Sequence, residues 1–481
     1  MSAYIHQLFN RGYFLTNKSL QDNEYLKTTL NNWSLLQYND LRLYFSKTTQ
    51  IYISEFKNTR IFIIGFVIDP FELENNVNRI ADHLLGELEK SEEHFLNYLD
   101  NLSGRFTIIV TTQDNVKIYG DTCHTKTIFY SFKDDKFIIS SHATLAAKIF
   151  KLEPNPNANS VLKSKIFTGR KFLPGLISPF INLYPLTPNN CLNISKKSVE
   201  RFFPREAFKM ETNIDSLVLE ISKILKHQSM LLTEIPNVRV SLTAGLDSRI
   251  TFASFKYLNT NNVEFFTHTS LEKAAAFSED VNIASQLCEL KNYKHTVIEY
   301  STDASQDTSD YKNVWSQNVG MNRGSMYLFK KYTDFFPENT LHIRSNVAEI
   351  ARSFFKATGV PISPTRLSEM YTKSDFKNEE LVIDSFKKFI TVSNFSENLF
   401  FNYHYEDLFY WEHRMPMWHS WIVNEGETAF ETFVPFNNRR LLKLMLSTDR
   451  KIRDSDELFI KILKKLDSEL LKLPINKNIL N

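Results

Sequence analysis

The sequence has few cysteines and no long apolar run. It holds only three cysteines, Cys123, Cys191 and Cys288, without CxxC spacing, which excludes a disulfide framework and a cysteine-rich zinc site. Its longest clear apolar run, residues 61–68, is far shorter than the roughly 20 residues that span a bilayer. The first residues lack the apolar stretch of a signal peptide. These absences predict a cytoplasmic protein without a membrane partner.

Neither sign of charge is in excess, because 57 lysines and arginines face 55 aspartates and glutamates in 481 residues. This balance gives no basic footprint, so we expect no nucleic-acid partner. Hydrophobic residues make up 42% of the chain, which is ordinary for a folded protein. At roughly 100–200 residues per domain, the length predicts two or three domains.

The chain divides into three regions by pattern. Residues 1–150 contain short apolar runs bounded by turn residues, such as Ile51–Phe56 and residues 60–69, and helical spacing over residues 74–102, which together predict an α+β layered domain. Residues 151–212 hold seven of the 15 prolines and are predicted to be a linker. Strands and helices alternate from residue 213, which predicts an α/β domain with a mostly parallel sheet over 213–481 and a helical C-terminal part.

One turn in the third region has the composition of an anion site. A predicted strand runs into Thr243, Ala244 and Gly245, and Asp247 and Ser248 open a helix. Small residues let backbone N–H groups converge on an anion at a helix N-terminus, where the dipole favours negative charge. Asp247 beside a phosphate would be repelled unless a cation such as Mg²⁺ lies between them. An ordinary tight strand–helix turn is the alternative interpretation of the same residues.

Residues 243–248 resemble the S-G-G-x-D-S loop of the PP-loop ATP pyrophosphatases. Four further segments occur in the order found in the class B asparagine synthetase-like enzymes and resemble their glutaminase-domain, G-x-G-x-D-E-x-x-x-G-Y, D-R-M-S-M and E-x-R-x-P-F-L-D motifs. The positions that match are Gly104, Arg105, Phe106, Asp121, Glu349, Arg414, Met415, Met417, Glu431, Pro435 and Phe436. The main departures from these motifs are Ala348 in place of an aspartate, His413, Phe433, Asn437 and Asn438.

The resemblance covers nearly the whole chain and implies its fold and reaction. It implies an α+β Ntn-like sandwich, a degenerate glutaminase-like domain at 1–150, followed by an α/β PP-loop synthetase domain at 213–481. It further implies an ATP-dependent, AMP-forming ligase that uses Mg²⁺, adenylates a carboxylate and forms an amide with ammonia or an amine. The acid would be a small molecule, a glycan or a peptide, and a separate amidase would be a further partner.

The resemblance also implies a set of site residues. Asp247 and Glu349 are expected to bind the metal, and Glu349 and Arg344 to act in catalysis, with Glu349 either a ligand or a base. Arg352 is a second arginine that could hold phosphate. The expected ATP-binding residues are Ser241, Thr243, Ala244, Gly245, Leu246, Asp247 and Ser248. Ser278, which precedes two acidic residues, is expected to be a helix N-cap.

The N-terminus departs most from the family. Ser2 stands where the family's glutaminase has its nucleophilic cysteine, and nothing after it resembles the glutaminase start, so this domain is expected to be a retained scaffold. Two alternatives to the ligase stay open. One is a catalytically inactive ATP-binding or scaffold member of the family. The other is a true, glutamine-hydrolysing asparagine synthetase.

Overall fold

A computed structural model describes residues 4–303, 308–321, 325–372 and 378–475. Within these residues the fold is a mixed α/β one, with two antiparallel sheets of six strands and one parallel sheet of five. The strands are β1 (Tyr13–Thr16), β2 (Ser34–Tyr38), β3 (Leu41–Phe45), β4 (Ile51–Phe56), β5 (Thr59–Ile68), β6 (Ser103–Thr111), β7 (Val116–Gly120), β8 (Phe129–Lys133), β9 (Lys136–Ser140), β10 (Tyr184–Pro185), β11 (Asn190–Asn193), β12 (Ser198–Arg201), β13 (Val238–Ser241), β14 (Val263–Ser270), β15 (His295–Tyr300), β16 (Leu341–Ile343) and β17 (Glu431–Phe433).

Helices cover the sheets and fill most of the C-terminal part. The α-helices are α1 (Glu24–Thr28), α2 (Val77–Lys90), α3 (Glu92–Leu99), α4 (Ala143–Phe150), α5 (Pro156–Leu162), α6 (Lys165–Arg170), α7 (Ile214–Leu232), α8 (Leu246–Ser254), α9 (Ala274–Lys291), α10 (Ser309–Val319), α11 (Met326–Phe335), α12 (Pro364–Thr372), α13 (Glu380–Val392), α14 (Tyr405–Phe409), α15 (Ser420–Gly426), α16 (Arg439–Leu446), α17 (Arg450–Asp454) and α18 (Glu457–Asp467). Shorter 3-10 turns include Ala348–Arg352, and a π-helical stretch covers Tyr410–His419. Among the helices of the described residues, none has the length and apolarity needed to cross a bilayer.

The two antiparallel sheets form a sandwich. Their strand orders are β10-β8-β9-β1-β3-β2 and β12-β11-β7-β6-β5-β4. The inner faces share a core to which the first sheet contributes Tyr13 and Ile139 and the second contributes Phe62 and Ile109. Helix α2 packs on β4 and β5, and α4 packs on β9, so each sheet has a helical layer outside it.

The segment 151–212, expected to be a linker, contributes strands to both sheets of the sandwich. Strand β10 pairs with β8, β11 with β7, and β12 with β11. The prolines lie where a missing N–H is tolerated: Pro156 is the first residue of α5, and Pro185 ends the short edge strand β10. Dense proline therefore marks closely spaced short elements here rather than a separation of domains.

Two helix boundaries differ from the sequence expectation. The single helix expected over residues 74–102 is divided into α2 and α3 at Ser91, whose extended backbone lets its side chain accept a hydrogen bond from the His94 N–H. Helix α9 begins at Ala274, so Ser278 lies inside it and donates to the Ala275 carbonyl instead of capping the helix. In both cases serine competes for local backbone partners, and spacing alone does not decide which partner it takes.

The parallel sheet has the order β15-β14-β13-β16-β17. From β13 the chain moves to β14 and β15 on one side, and it then returns to β16 and β17 on the other side. The strand order therefore reverses between β13 and β16. In open parallel sheets, ligands bind in the crevice at the carboxyl ends of the strands that flank such a reversal.

Candidate functional site

Two loops leave the carboxyl ends of β13 and β16, the strands that flank the reversal. The first leaves β13 after Ser241 and enters α8 at Leu246. The second leaves β16 after Ile343 and forms the 3-10 turn Ala348–Arg352. The strands are paired in parallel, and the Ser241 hydroxyl donates to the Ile343 carbonyl at 3.3 Å. Residues that follow the two strands are therefore held side by side, although about a hundred positions separate them in the sequence.

The hydroxyls of the first loop close the turn on itself. Thr243 Oγ1 lies 3.0 Å from Ser248 Oγ and accepts from the Gly245 N–H at 3.2 Å. The Ala244 N–H donates to Asp280 Oδ1 at 2.8 Å, so this donor is already satisfied. The N–H groups of Leu246, Asp247 and Ser248 lie in the first turn of α8, where a helix offers them no acceptor of its own. These three groups suit an anion at the helix N-terminus.

A second feature of the site is a buried ion-pair cluster around Arg352. Its Nη1 lies 3.0 Å from Asp247 Oδ1, and its Nε lies 2.7 Å from Asp456 Oδ1. The side chains of Arg352, Asp247 and Asp456 are 12%, 13% and 22% exposed, and the guanidinium lies 5.1 Å from the centre of the Phe459 ring. Sequence reasoning missed Asp456, because nothing in the local pattern relates it to the other two residues.

Within this cluster, burial and a neighbouring acid disfavour the charged form of Asp247. Burial, followed by the charge of Glu349, raises the pKa of the Asp247 carboxyl to about 7, and Arg352 opposes this rise. Burial alone would lower the pKa of Arg352, but Asp247 and Asp456 raise it above its usual value. Acidic charge therefore exceeds the charge of the one guanidinium that bridges it, and Asp247 and Glu349 are close enough to repel each other.

Glu349 has a buried, unsatisfied oxygen. Its Oε2 has no hydrogen-bond partner within the described part of the chain. The 3-10 turn that carries it is preceded by Val347, a buried β-branched residue with φ +79°. Such backbone is sterically unfavourable for valine and is retained only where the surrounding structure enforces it. Ala348 is fully buried and places a methyl group where the resembled motif has a carboxylate.

Arg344 starts the second loop. Its N–H donates to the Phe433 carbonyl of β17 at 2.9 Å, and its Nε donates to Asn346 Oδ1. Burial lowers the pKa of Arg344, whereas Tyr332, Glu425 and Glu349 act to raise it. The structure therefore brings Asp247, Glu349 and Arg344 to one end of the parallel sheet.

Arg414 lies in the π-helical stretch and is surrounded by aromatic rings. Its guanidinium carbon lies 4.5–5.5 Å from the centres of four rings, those of Phe172, Phe354, Tyr410 and Trp418. Burial, then the charge of Glu349, raises the pKa of Tyr410, Asp247 adds to the effect, and Arg414 opposes it. Among the described residues, Arg414 makes no ion pair with a carboxylate. The Phe354 side of this group is open, since that residue is 41% exposed.

The residues present do not form a magnesium site by themselves. The described ranges contain no group of three or more His, Cys, Asp or Glu side chains placed to hold a metal ion. Asp247, one of the two expected ligands, is already bonded to Arg352, and Ala348 supplies no carboxylate beside Glu349. Hard divalent cations need several oxygen ligands, so this donor set does not fit Mg²⁺.

The N-terminal half does not offer a glutaminase nucleophile in its described part. Ser2 lies outside the described residues, and β1 begins only at Tyr13. The residues before β1 pack against the third region of the chain, where Asn318 accepts from the Phe9 N–H at 2.6 Å and donates to the Gln7 carbonyl at 2.8 Å. Cys123 is fully buried, and burial raises the pKa of its thiol well above the ordinary value, which disfavours a nucleophilic thiolate.

No protein-family model and no curated protein matches the chain. Solved structures similar to parts of the chain include the following three. A glutamine phosphoribosylpyrophosphate amidotransferase from B. subtilis, complexed with ADP and GMP, is 8% identical over 73% of this chain and 72% of its own, with a TM-score of 0.25. A glutamine-dependent NAD+ synthetase from Acinetobacter baumannii, in complex with ADP, is 16% identical over 46% and 42%, with a TM-score of 0.21. An NMN synthetase from Francisella tularensis is 14% identical over 43% and 97%, with a TM-score of 0.20. TM-scores of this size establish no common function.

Proposed function

We propose that the chain is an ATP-dependent, AMP-forming ligase that adenylates a carboxylate and converts it to an amide with ammonia or an amine. The observation that carries this proposal is the position of the α8 N-terminus and the Arg344–Glu349 loop at the reversal of the parallel sheet. The resemblance of residues 243–248 to the PP-loop supports the same assignment. In the first step a substrate carboxylate oxygen attacks the α-phosphorus of ATP, and the bond to pyrophosphate breaks. In the second step the amine nitrogen attacks the acyl carbon, and AMP leaves.

The phosphates would lie against α8, and Arg344 would oppose the charge that develops on pyrophosphate. The N–H groups in the first turn of α8 suit phosphate oxygens. Arg344 lacks an ion-pair partner among the described residues, so its charge is available to a leaving anion. No step of this scheme is assigned to a metal ion held by the protein, because Asp247 already has a cation bonded to it.

Glu349 would accept the proton that the amine loses as it attacks. A general base needs an oxygen that can accept a hydrogen bond at the reacting centre, and Glu349 Oε2 is such an oxygen. Because adenylation releases no proton to this group, the role of Glu349 is confined to the second step.

Arg414 would hold the substrate carboxylate or an anionic group next to it. Aromatic faces bind a guanidinium through its flat surface and leave the N–H donors at its edge free. Those edge donors match a carboxylate in a bidentate arrangement. The substrate would be a small-molecule, glycan or peptide acid that approaches along the open Phe354 side.

The first experiment is ATP–pyrophosphate exchange across a panel of amino acids, sugar acids and peptides. We expect exchange to depend on one class of acid. Glu349→Gln should retain exchange and lose about 10²–10⁴-fold in amide formation, because only the second step needs the base. Arg414→Gln should raise the KM for the acid about tenfold or more while the KM for ATP stays unchanged. Arg239→Gln is the matched control. Arg239 is a mostly buried arginine on the same sheet, and its ion pair with Glu264 lies outside the candidate site.

A second candidate function is a nucleotide-binding member without catalysis. Two observations favour it. Ala348 has no carboxylate, and the carboxylate of Asp247 is already paired with Arg352, so neither residue is available to bind a metal ion. Calorimetry with ATP separates the candidates. ATP binding without exchange for any acid would favour the inactive member, and the absence of both would leave a scaffold protein. Glutamate release from glutamine would instead support a glutamine-hydrolysing synthetase.

A further inference from the structure

The most unusual feature of the site is a guanidinium paired with Asp247, the residue that the sequence predicts to bind a metal ion. Arg352 bridges two carboxylates from different parts of the chain, one at the start of α8 and one directly before α18. Two of its nitrogens, Nε and Nη1, take part in these contacts. Within the described residues, Nη2 makes no hydrogen bond, so one edge of the guanidinium remains for another anion.

The position of Arg352 is fixed by its surroundings. Its guanidinium stacks at 5.1 Å on the Phe459 ring of α18. Positive φ angles at Val347 and Ser353 bound the 3-10 turn that carries it, so the turn enters and leaves through constrained backbone. A side chain held in this way loses little further freedom when it binds an anion, which favours affinity.

A divalent ion and Arg352 compete for the same oxygen. Asp247 Oδ1 accepts from Nη1 at 3.0 Å, and a cation bound there would lie against the guanidinium charge. Ala348 supplies no carboxylate where the resembled motif has an aspartate, and Arg352 adds a positive charge to the same loop. Both features lower the affinity of the loop for a metal ion.

We propose that Arg352 is the resident cation of this phosphate site, so that the chain binds the phosphates of a nucleotide without a metal ion held by its own carboxylates. The guanidinium would neutralise Asp247 and Asp456 and present its free edge to the phosphates at the start of α8. This inference rests on the nucleotide site proposed above and assigns the counter-charge within it.

The direct test is a titration of the nucleotide-free protein with Mn²⁺. Binding is measured by calorimetry or from the paramagnetic resonance signal of free Mn²⁺. Wild type should bind no Mn²⁺ below millimolar concentration. Arg352→Ala should gain a site, because the guanidinium that lies between Asp247 and Asp456 is then gone and these two carboxylates can turn, with Glu349, toward a common cation. Arg352→Lys, which keeps the charge, should not gain one. Binding of Mn²⁺ by wild type at micromolar concentration, abolished by Asp247→Asn, would overturn the proposal.

The second arm measures ATP affinity with EDTA and with Mg²⁺. Wild type should bind ATP in EDTA within about threefold of its affinity in Mg²⁺, and Arg352→Ala should lose about 10–100-fold in EDTA and recover in Mg²⁺. Arg239→Ala, which breaks an ion pair elsewhere on the sheet, should match wild type in both buffers. Equal affinity of Arg352→Ala and wild type in EDTA would contradict the proposal.

The two arms separate this inference from the proposed function. If wild type binds ATP in neither buffer, the nucleotide site is wrong, and the Mn²⁺ titration still decides what Arg352 does. If Arg352→Ala fails to fold, Asp456→Asn provides a second variant. It leaves Arg352 bonded to Asp247 and should still exclude Mn²⁺, whereas a gain of Mn²⁺ binding would count against the proposal.

Discussion

His413 is a buried imidazole inside a group of aromatic rings. It stacks on Phe409 with 5.0 Å between ring centres and an interplanar angle of 5°, and Phe386 and Phe389 lie within 5.6 Å. Its Nε2 has no hydrogen-bond partner in the described structure, and burial lowers its pKa to about 3. The side chain is therefore a neutral ring of the core.

This burial predicts a specific acid sensitivity. Between the unfolded pKa of about 6.5 and the folded pKa of about 3, the unfolded chain binds a proton that the folded chain does not. The free energy of unfolding should therefore fall as pH falls through this window, by about 1.4 kcal/mol per pH unit for this group. His413→Phe should remove that part of the slope, measured by urea unfolding at pH 7.5, 6 and 5. The exposed His404, replaced by Phe, is the control, and an unchanged slope in His413→Phe would contradict the assignment.

The residues of the candidate site were predictable only where the signal is local. The small residues and acid at 243–248 identified Asp247, because the turn and the helix start lie within a few positions. Arg352 lies three residues after Glu349 in the sequence, but its hydrogen bond to Asp247 joins residues 105 positions apart. Asp456 is a further 104 positions along the chain. Only the pairing of β13 with β16 and the packing of α18 on α8 bring these charges together.

At the scale of elements, β5 and β6 approach each other closely through a glycine. The two strands pair over nine residues, with Val67 opposite Gly104. Gly104 has φ +144°, and a Cβ added there would lie 2.2 Å from the Phe66 carbonyl oxygen. Gly104 lies inside β6, where the absence of a side chain permits the backbone contact.

Gly104→Ala should therefore destabilise the fold by about 2 kcal/mol or more, because both the steric clash and the positive φ oppose a side chain. Gly86 is the matched control, since it lies inside α2 and a Cβ there would have no neighbour within 4 Å. Gly86→Ala should stabilise the protein by about 0.5–1 kcal/mol through helix propensity. Thermal and urea unfolding measure both, and equal effects of the two substitutions would show that the strand contact can relax.

Strands and helices were predictable from the sequence where the spacing of apolar residues and the positions of turn residues agree. Strand β4 was predicted with its observed bounds and β5 within a residue at each end, because apolar runs are separated there by the turn residues 57–59. The alternation of strands and helices predicted from residue 213 is observed in the order β13, α8, β14, α9 and β15. The π-helical stretch over Tyr410–His419 was not predictable from the sequence. It is buried on nearly all sides, so its sequence has no amphipathic periodicity. Its irregular turns place Tyr410 and Arg414 together. The regular spacing of an α-helix or a strand therefore does not predict the aromatic surroundings of Arg414.

At the scale of the whole molecule, the sandwich and the parallel-sheet region are joined by buried polar contacts. Asn437 donates to Asp121 Oδ1 at 2.8 Å and to the Gly104 carbonyl at 2.7 Å, and Asn438 donates to Ser103 Oγ at 2.9 Å. These asparagines are departures from the resembled motif, and the structure uses both of them to contact the sandwich. A sequence read region by region cannot show this, since each partner lies more than 300 positions away.

Arg105 is the centre of this interface. It is fully buried on β6, its Nη1 lies 2.5 Å from Glu427 and 3.1 Å from Glu431, and its Nη2 donates to Asn424 at 2.9 Å. Burial alone would raise the pKa of Glu427, but the charges of Arg105 and His142 lower it below its ordinary range. A carboxylate in this position is satisfied only when the sandwich and the C-terminal part are docked, so the ion pair couples the folding of the two regions.

Arg105→Met should leave Glu427 buried without its main partner and lower the free energy of unfolding by about 3–5 kcal/mol. Arg60→Met, which breaks a largely exposed ion pair with Glu55, should cost no more than about 1 kcal/mol and is the control. A double-mutant cycle of Arg105→Met with Glu427→Gln should show a coupling energy of about 1–3 kcal/mol, because the second substitution removes the orphaned charge. If the two effects add without coupling, the docking of the regions depends on the surrounding apolar packing and not on this pair. Two unfolding transitions in Arg105→Met, against one in wild type, would show that the pair is what makes the regions unfold together.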